Sequence, residues 1–169
     1  MIDLVTVSPD GWLSWGGHRM RAALGRSGVT RNKREGDGAT PAGVFALRSL
    51  LYRADRIARP ATLLDCAAIS EVAGWSDDPA DPAYNRPVTL PHGFGHERLW
   101  REDGVYDLIV PLGYNDAPPI AGRGSAIFLH VARPAYEATE GCVALSLADF
   151  LLMLAESGPE TRIAISGER

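Results

Sequence analysis

Apolar residues along this chain fall in short runs separated by turn-forming residues, the pattern of many strands rather than of long helices. Residues 3–8 and 12–15 flank Pro9-Asp10-Gly11, three residues that each favour a tight turn, and together they predict a β-hairpin. Residues 19–25 contain helix-compatible Ala and Leu, but Gly16-Gly17 precede them and Gly25 and Gly28 bracket their end, so a strand is the preferred reading. Residues 43–52, rich in Val, Phe and Leu, predict one strand. Residues 106–114 predict another, which Pro111 interrupts and so places at an edge or bulge. The run Ala126-Ile127-Phe128-Leu129 predicts a strand that delivers His130.

The period changes once, near the end. Residues 146–157 carry a Ser at the N-cap, Asp149 in the first turn and a Leu/Phe/Met face, and Gly158-Pro159 stop the helix they predict. Residues 161–166 alternate as a final strand. Residues 57–91 show little periodicity, and residues 115–124 form a Pro/Gly-rich connection into the strand before His130.

Composition narrows the class. The 169 residues predict one domain spanning 1–169, long enough for a sizeable core. Hydrophobic residues at 46% and charged residues at 22% are ordinary for a globular chain, and 18 Gly with 12 Pro favour short strands and turns. A net charge of −4 offers no electrostatic argument for nucleic acid or an anionic membrane surface. No apolar run approaches the roughly 18 residues of a membrane span.

Candidate chemistry gathers between residues 125 and 147. His130 ends one apolar run, and Cys142 follows Gly141 after a polar loop; eleven residues separate the two, enough for the chain to turn back. A thiol titrates near about 8.5, so an adjacent imidazole that takes its proton turns it into a nucleophile held as an ion pair. Amides around Gly141 and Cys142 would then face an oxyanion on an attacked carbonyl. The same spacing also suits a buried, inert cysteine and a structural histidine. The other cysteine, Cys66, reads with Cys142 as a free thiol, because a bridge would consume the nucleophile.

Elsewhere the signals are weaker. Asp77, Asp78 and Asp81 lie in a turn-rich acidic loop but lack the spacing of a calcium loop, and His92 and His96 are separated by glycines that argue against a zinc-binding helix. No metal site is expected. Residues 31–38 read as a solvated loop or as the mouth of a substrate groove. Residues 84–86 and 92–97 set polar groups beside aromatics, as clefts and ordinary loop packing both do.

His130 followed by Thr139-Glu140-Gly141-Cys142-Val143 resembles the signature of the L,D-transpeptidase catalytic domain, also called the YkuD domain. In that family a histidine and a loop precede Ser/Thr-His-Gly-Cys. Here Glu140 stands where the second histidine is usual, Ala144 replaces the usual arginine or asparagine, and the loop after His130 is short. The segment Gly38-Ala39-Thr40-Pro41-Ala42-Gly43-Val44-Phe45 resembles the family's upstream Thr-Pro-x-Gly-x-Phe stretch. The resemblance spans about residues 31–155 and implies a mainly β, sandwich- or barrel-like fold of mixed strands with one late helix.

It further implies a cysteine acyltransferase on peptidoglycan stem peptides, without cofactor, forming 3–3 cross-links or the 1–3 links of compact proteobacterial relatives. Cys142 and His130 would be catalytic, with Gly141 shaping the oxyanion turn. Glu140 would either orient His130 or face solvent and cap a turn. Arg133 and Thr139 are candidate substrate-binding residues, as are Tyr114 and Asn115 by their nearness to the catalytic strand. Carbapenem-type β-lactams are expected inhibitors. A hydrolase using the same Cys–His pair, or an inactive peptidoglycan-binding protein, are the alternatives. The substrate implies the periplasm, while residues 1–6 show neither the basic region nor the apolar core of a secretory signal, which leaves a cytoplasmic location open.

Overall fold

The computed structural model describes residues 1–167. The N-terminal strands are β1 (Leu4–Val7), β2 (Trp12–Trp15), β3 (His18–Ala23) and β4 (Val29–Thr30). Next come β5 (Thr40–Pro41), β6 (Gly43–Ala46), β7 (Leu50–Tyr52) and β8 (Cys66–Ala68). The middle of the chain contributes β9 (Ala73–Ser76), β10 (Pro87–Thr89), β11 (His96–Arg98) and β12 (Leu108–Pro111). Strands β13 (Phe128–Val131) and β14 (Val143–Leu145) then precede the helix α1 (Leu147–Ala155) and β15 (Arg162–Ile165).

Ten strands form one sheet in the order β6-β15-β1-β2-β3-β14-β13-β12-β7-β8, while β10-β9-β11 make a small second sheet and β4 pairs with β5. The large sheet curls. Residues 47–49 connect β6 at one edge to β7 near the other, and three linking residues reach only on the order of 10 Å. Leu47 also bridges Leu112, just past β12. The single strand expected over residues 43–52 is therefore two, divided at a corner: both halves carry the same apolar pattern, and closure of the sheet decides where the chain bends. The fold is mainly β with one late helix, as the resemblance implied.

Pro111 departs from its expected place. Strand β12 lies inside the sheet between β13 and β7, and Pro111 is its last residue, where its missing N–H forfeits little; its carbonyl accepts the Arg48 N–H at 3.0 Å. The aperiodic region 57–91 holds β8, β9 and β10, each only three or four residues long, too short for alternation to register. Its acidic loop is not solvated throughout: Asp81 is buried and accepts from Ser76 Oγ at 2.5 Å, with His92 Nε2 at 2.6 Å.

The local signals at the C-terminus hold. Ser146 Oγ accepts the Asp149 N–H at 3.2 Å at the start of α1, and Phe150, Met153 and Leu154 form its buried stripe. Burying each stabilises the fold by roughly 1.5–3 kcal/mol relative to exposure. They join Val5, Leu13, Leu50, Leu108, Leu129, Leu145 and Ile163 in the main core. A smaller apolar cluster of Val105, Tyr106, Ile109, Ala126 and Phe128 lies around Cys142.

Candidate active site

Strands β13 and β14 run parallel, with Leu129 opposite Val143 and His130 opposite Ala144. Cys142, one residue before β14, thus sits beside the chain leading into β13. Its Sγ donates to the Ala126 carbonyl at 3.3 Å and receives the Phe128 N–H at 3.4 Å. Both Cys142 and His130 are buried, 7% and 8% exposed, yet both line one cleft of about 810 Å³ together with Arg101, Asp103, Tyr106 and Arg133. A second chamber of about 250 Å³, walled by Lys33, Glu35, Glu97 and Ser125, also reaches Cys142.

The turn before the thiol is built from its own side chains and from two distant segments. Thr139 Oγ1 donates to the Cys142 carbonyl at 2.7 Å and accepts the Gly141 N–H at 3.1 Å. Gly141 has φ +139°, and a Cβ there would lie 2.8 Å from the Ala39 carbonyl oxygen, so glycine is required. Thr139 N–H bonds Leu24 O at 2.9 Å, and Arg26 N–H bonds Thr139 O at 2.8 Å. Thr40, fully buried, accepts the Gly25 N–H at 2.8 Å. The Gly38–Phe45 segment thereby braces the strand end on which the cysteine loop rests.

The charge states differ from the expected ion pair. Burial pushes the Cys142 thiol up to about 12, with the Glu97 charge adding to the rise and the Phe128 N–H and Lys33 opposing it. Burial pulls the His130 imidazole below its ordinary value, opposed by its bond to the Val131 carbonyl. His130 Nδ1 lies 2.9 Å from that carbonyl, so Nδ1 carries the proton and Nε2 is left as the acceptor. No hydrogen bond joins thiol to imidazole among the described residues. The pair rests as neutral thiol and neutral base, because low dielectric disfavours separating the charges.

The model of the L,D-transpeptidase catalytic domain, YkuD, matches residues 10–165. The chain belongs to this family. Among solved structures, L,D-transpeptidase 3 from Mycobacterium tuberculosis is similar at 14% identity and TM-score 0.50, covering 98% of this chain and 62% of that one. The Ldtfm–avibactam carbamoyl enzyme is similar at 12% identity and TM-score 0.51, covering 99% of this chain and 49% of that one. An L,D-transpeptidase from Mycobacterium smegmatis is similar at 13% identity and TM-score 0.45, covering 98% and 59%. The chain thus spans less than two thirds of the length of these solved chains. No curated protein sequence matches it.

Within this YkuD domain the expected site residues separate. Cys142, His130, Gly141, Thr139 and Arg133 come together at the cleft or its turn. Arg133 pairs with Asp103 at 3.2 Å, and its side chain is half exposed. Glu140 does not meet the role of orienting His130: its carboxylate, 78% exposed, accepts from Arg26 Nε at 3.0 Å, while the Val131 carbonyl holds the imidazole. Tyr114 and Asn115 line neither cavity at Cys142. Tyr114 donates to Arg123 O, and Asn115 Nδ2 donates to Ile120 O at 3.0 Å and Gly124 O at 2.9 Å, so both organise their own loop.

Other residues at the site emerge only in three dimensions. Lys33, buried at 7%, and Glu35 bring the 31–38 loop into the smaller chamber rather than leaving all of it to solvent. Asn85 Oδ1 accepts the Ala126 N–H at 3.0 Å and the Trp75 indole N–H at 2.9 Å, bracing the residue that holds the thiol. Tyr106 packs against His130. Among the described residues no group of three or more His, Cys, Asp and Glu side chains is placed to hold a metal ion, and no helix is long and apolar enough to cross a membrane.

Proposed function

We propose that this domain is a cysteine acyltransferase that cross-links peptidoglycan stem peptides. The observation that carries the reading is the convergence of Cys142 and His130 from adjacent parallel strands on one 810 Å³ cleft, in a family of L,D-transpeptidases. With both groups neutral at rest, proton transfer accompanies attack. Nε2 of His130 takes the thiol proton as Sγ bonds to the donor carbonyl carbon. The Gly141 N–H is already held by Thr139, which leaves the Cys142 N–H to stabilise the oxyanion. The imidazolium returns its proton to the departing D-residue amine, and a thioester remains. An amine of a second stem attacks that thioester, its proton passes to His130, and the thiol is regenerated.

Arg133, with Arg101 and Arg98, offers guanidinium groups for a donor carboxylate in a cleft that Glu97, Glu102, Asp103, Glu137 and Glu140 also line, and Arg133 and Arg101 would exchange Asp103 for it. The cross-link is of the 3–3 type or, as in the compact relatives that the Glu140 and Ala144 departures resemble, of the 1–3 type. Such a substrate places the domain outside the cytoplasmic membrane. Covalent acylation gives the direct test: incubation with a carbapenem followed by peptide mapping is expected to place the adduct on Cys142. A folded protein that stays unmodified, or carries the adduct elsewhere, contradicts the nucleophile assignment.

A further inference from the structure

His130 rests against Tyr106. The two rings lie edge to face, with centroids 5.4 Å apart at 72°, and Tyr106 is only 7% exposed. Phe128 backs the tyrosine ring at 5.9 Å, and the Arg101 guanidinium lies 5.2 Å from the ring centroid. The Tyr106 hydroxyl donates to Glu97 Oε2. Glu97 comes from β11 of the small sheet, opposite Trp75 of β9, whose ring meets Phe128 edge-on at 5.1 Å. Glu97 also lines both cavities that reach Cys142.

We propose that Glu97 is a positioning residue for the site: it anchors the Tyr106 hydroxyl, and Tyr106 sets the surface against which the His130 imidazole is held. This rests on the reading of Cys142 and His130 as nucleophile and base. Among the described residues the imidazole has one hydrogen bond, from Nδ1 to Val131 O, which leaves rotation about that contact open. A packed aromatic edge removes that freedom and aims Nε2. The edge stays in place only if the tyrosine does, and its hydroxyl is its polar tether. Burial and the Glu97 charge keep that hydroxyl protonated, so it donates and the carboxylate accepts.

The charge of Glu97 has a separate effect, since it disfavours the thiolate at Cys142. The charged and titratable groups around these residues are Lys33 and Glu97 facing Cys142; Arg101, Arg133 and Asp103 facing His130; and Asp77, Glu35 and Arg101 facing Glu97. Positioning and charge can therefore be separated by substitution. Burial raises the Glu97 carboxyl above its ordinary value and the Tyr106 bond opposes that rise, so the charge is compared at alkaline pH, where the carboxylate is ionised: there Glu97→Gln keeps an acceptor oxygen for Tyr106 and removes the charge, Tyr106→Phe removes the tether and keeps the charge, and Glu97→Ala removes both.

Cross-linking kinetics of the three variants, with Cys142 alkylation by iodoacetamide followed across pH, test the proposal. Tyr106→Phe and Glu97→Ala are expected to lower kcat about tenfold with KM within about twofold, and Glu97→Gln to recover most of that loss. The alkylation profile is expected to move to lower pH in both Glu97 variants and to stay in Tyr106→Phe. Should Tyr106→Phe fail to fold, because it leaves a half-buried carboxylate without its hydroxyl partner, the Glu97→Ala and Glu97→Gln pair carries the comparison. Folded Tyr106→Phe and Glu97→Ala proteins with kcat within twofold of the parent overturn the proposal. If the parent itself forms no cross-link, the acyl-transfer reading fails instead. NMR titration of the His130 ring then decides the positioning role: an altered titration in Tyr106→Phe and Glu97→Ala but not Glu97→Gln supports it, and an unchanged one in all three overturns it.

Discussion

The thiol of Cys142 donates to the carbonyl oxygen of Ala126, and Ala126 holds φ at +53°, a left-handed conformation that a residue with a Cβ adopts at a cost. The strain turns that carbonyl toward the sulfur, and Asn85 pins the same residue through its N–H. Ala126→Gly is expected to fold with stability within about 1 kcal/mol of the parent, since relief of strain offsets the lost methyl burial. Ala126→Val, β-branched and buried, is expected to lose about 2–3 kcal/mol. Denaturant midpoints of the two variants check this, and equal losses would contradict it.

The resting thiol is neutral, so its reactivity toward small alkylating agents should keep rising above pH 9 instead of reaching a plateau near neutrality. The same burial has a consequence for stability. Between the thiol's ordinary value near 9 and about 12, the unfolded chain has released a proton that the folded chain keeps. Stability from this group is thus fully present below pH 9 and falls as pH rises through that window. Comparing the alkaline unfolding of the parent with that of Cys142→Ala isolates the effect: the variant should show the shallower decline.

Thr139 connects both sides of the turn, through Gly141 N–H and Cys142 O. Thr139→Val keeps the shape and removes both bonds. It is expected to cost about 1–3 kcal/mol and to depress acylation of Cys142, while Thr139→Ser stays close to the parent. Thermal unfolding and the rate of carbapenem adduct formation measure the two effects separately.

Glu140 and Arg26 form an exposed pair, and such pairs contribute about 0–1 kcal/mol. Glu140→Gln should therefore change the melting behaviour little and leave the His130 titration where it is. A displaced His130 titration in that variant would restore the orienting role that the geometry withholds.

Features written in local chemistry were legible in the sequence. Ser146, Asp149 and Gly158-Pro159 bound the helix, Pro9-Asp10-Gly11 closes the first hairpin, and the His130 to Cys142 stretch carries the family signature. What depended on distant partners was not. The Glu140 carboxylate is engaged by Arg26, 114 residues away in sequence, and no local pattern announces that pairing. Tyr114 and Asn115 stand close along the chain to the strand that carries His130, yet their polar side-chain atoms close their own loop. Glu97 reads from sequence as part of a glycine-rich loop segment and Tyr106 as the start of a predicted strand, and they meet because the small sheet packs its Trp75 against Phe128 of β13. The bend within residues 43–52 belongs to the same class, since closure of the sheet, not local preference, sets it.

In the proposed reaction Cys142 transfers an acyl group between stem peptides. Mass analysis of muropeptides after incubating purified peptidoglycan fragments with the domain, beside Cys142→Ala, tests it most directly. New cross-linked dimers that vanish in the variant are expected, with fragmentation placing the bond at the third or first stem residue. Shortened monomers without dimers would show a hydrolase, and no change with a folded protein would contradict the catalytic account.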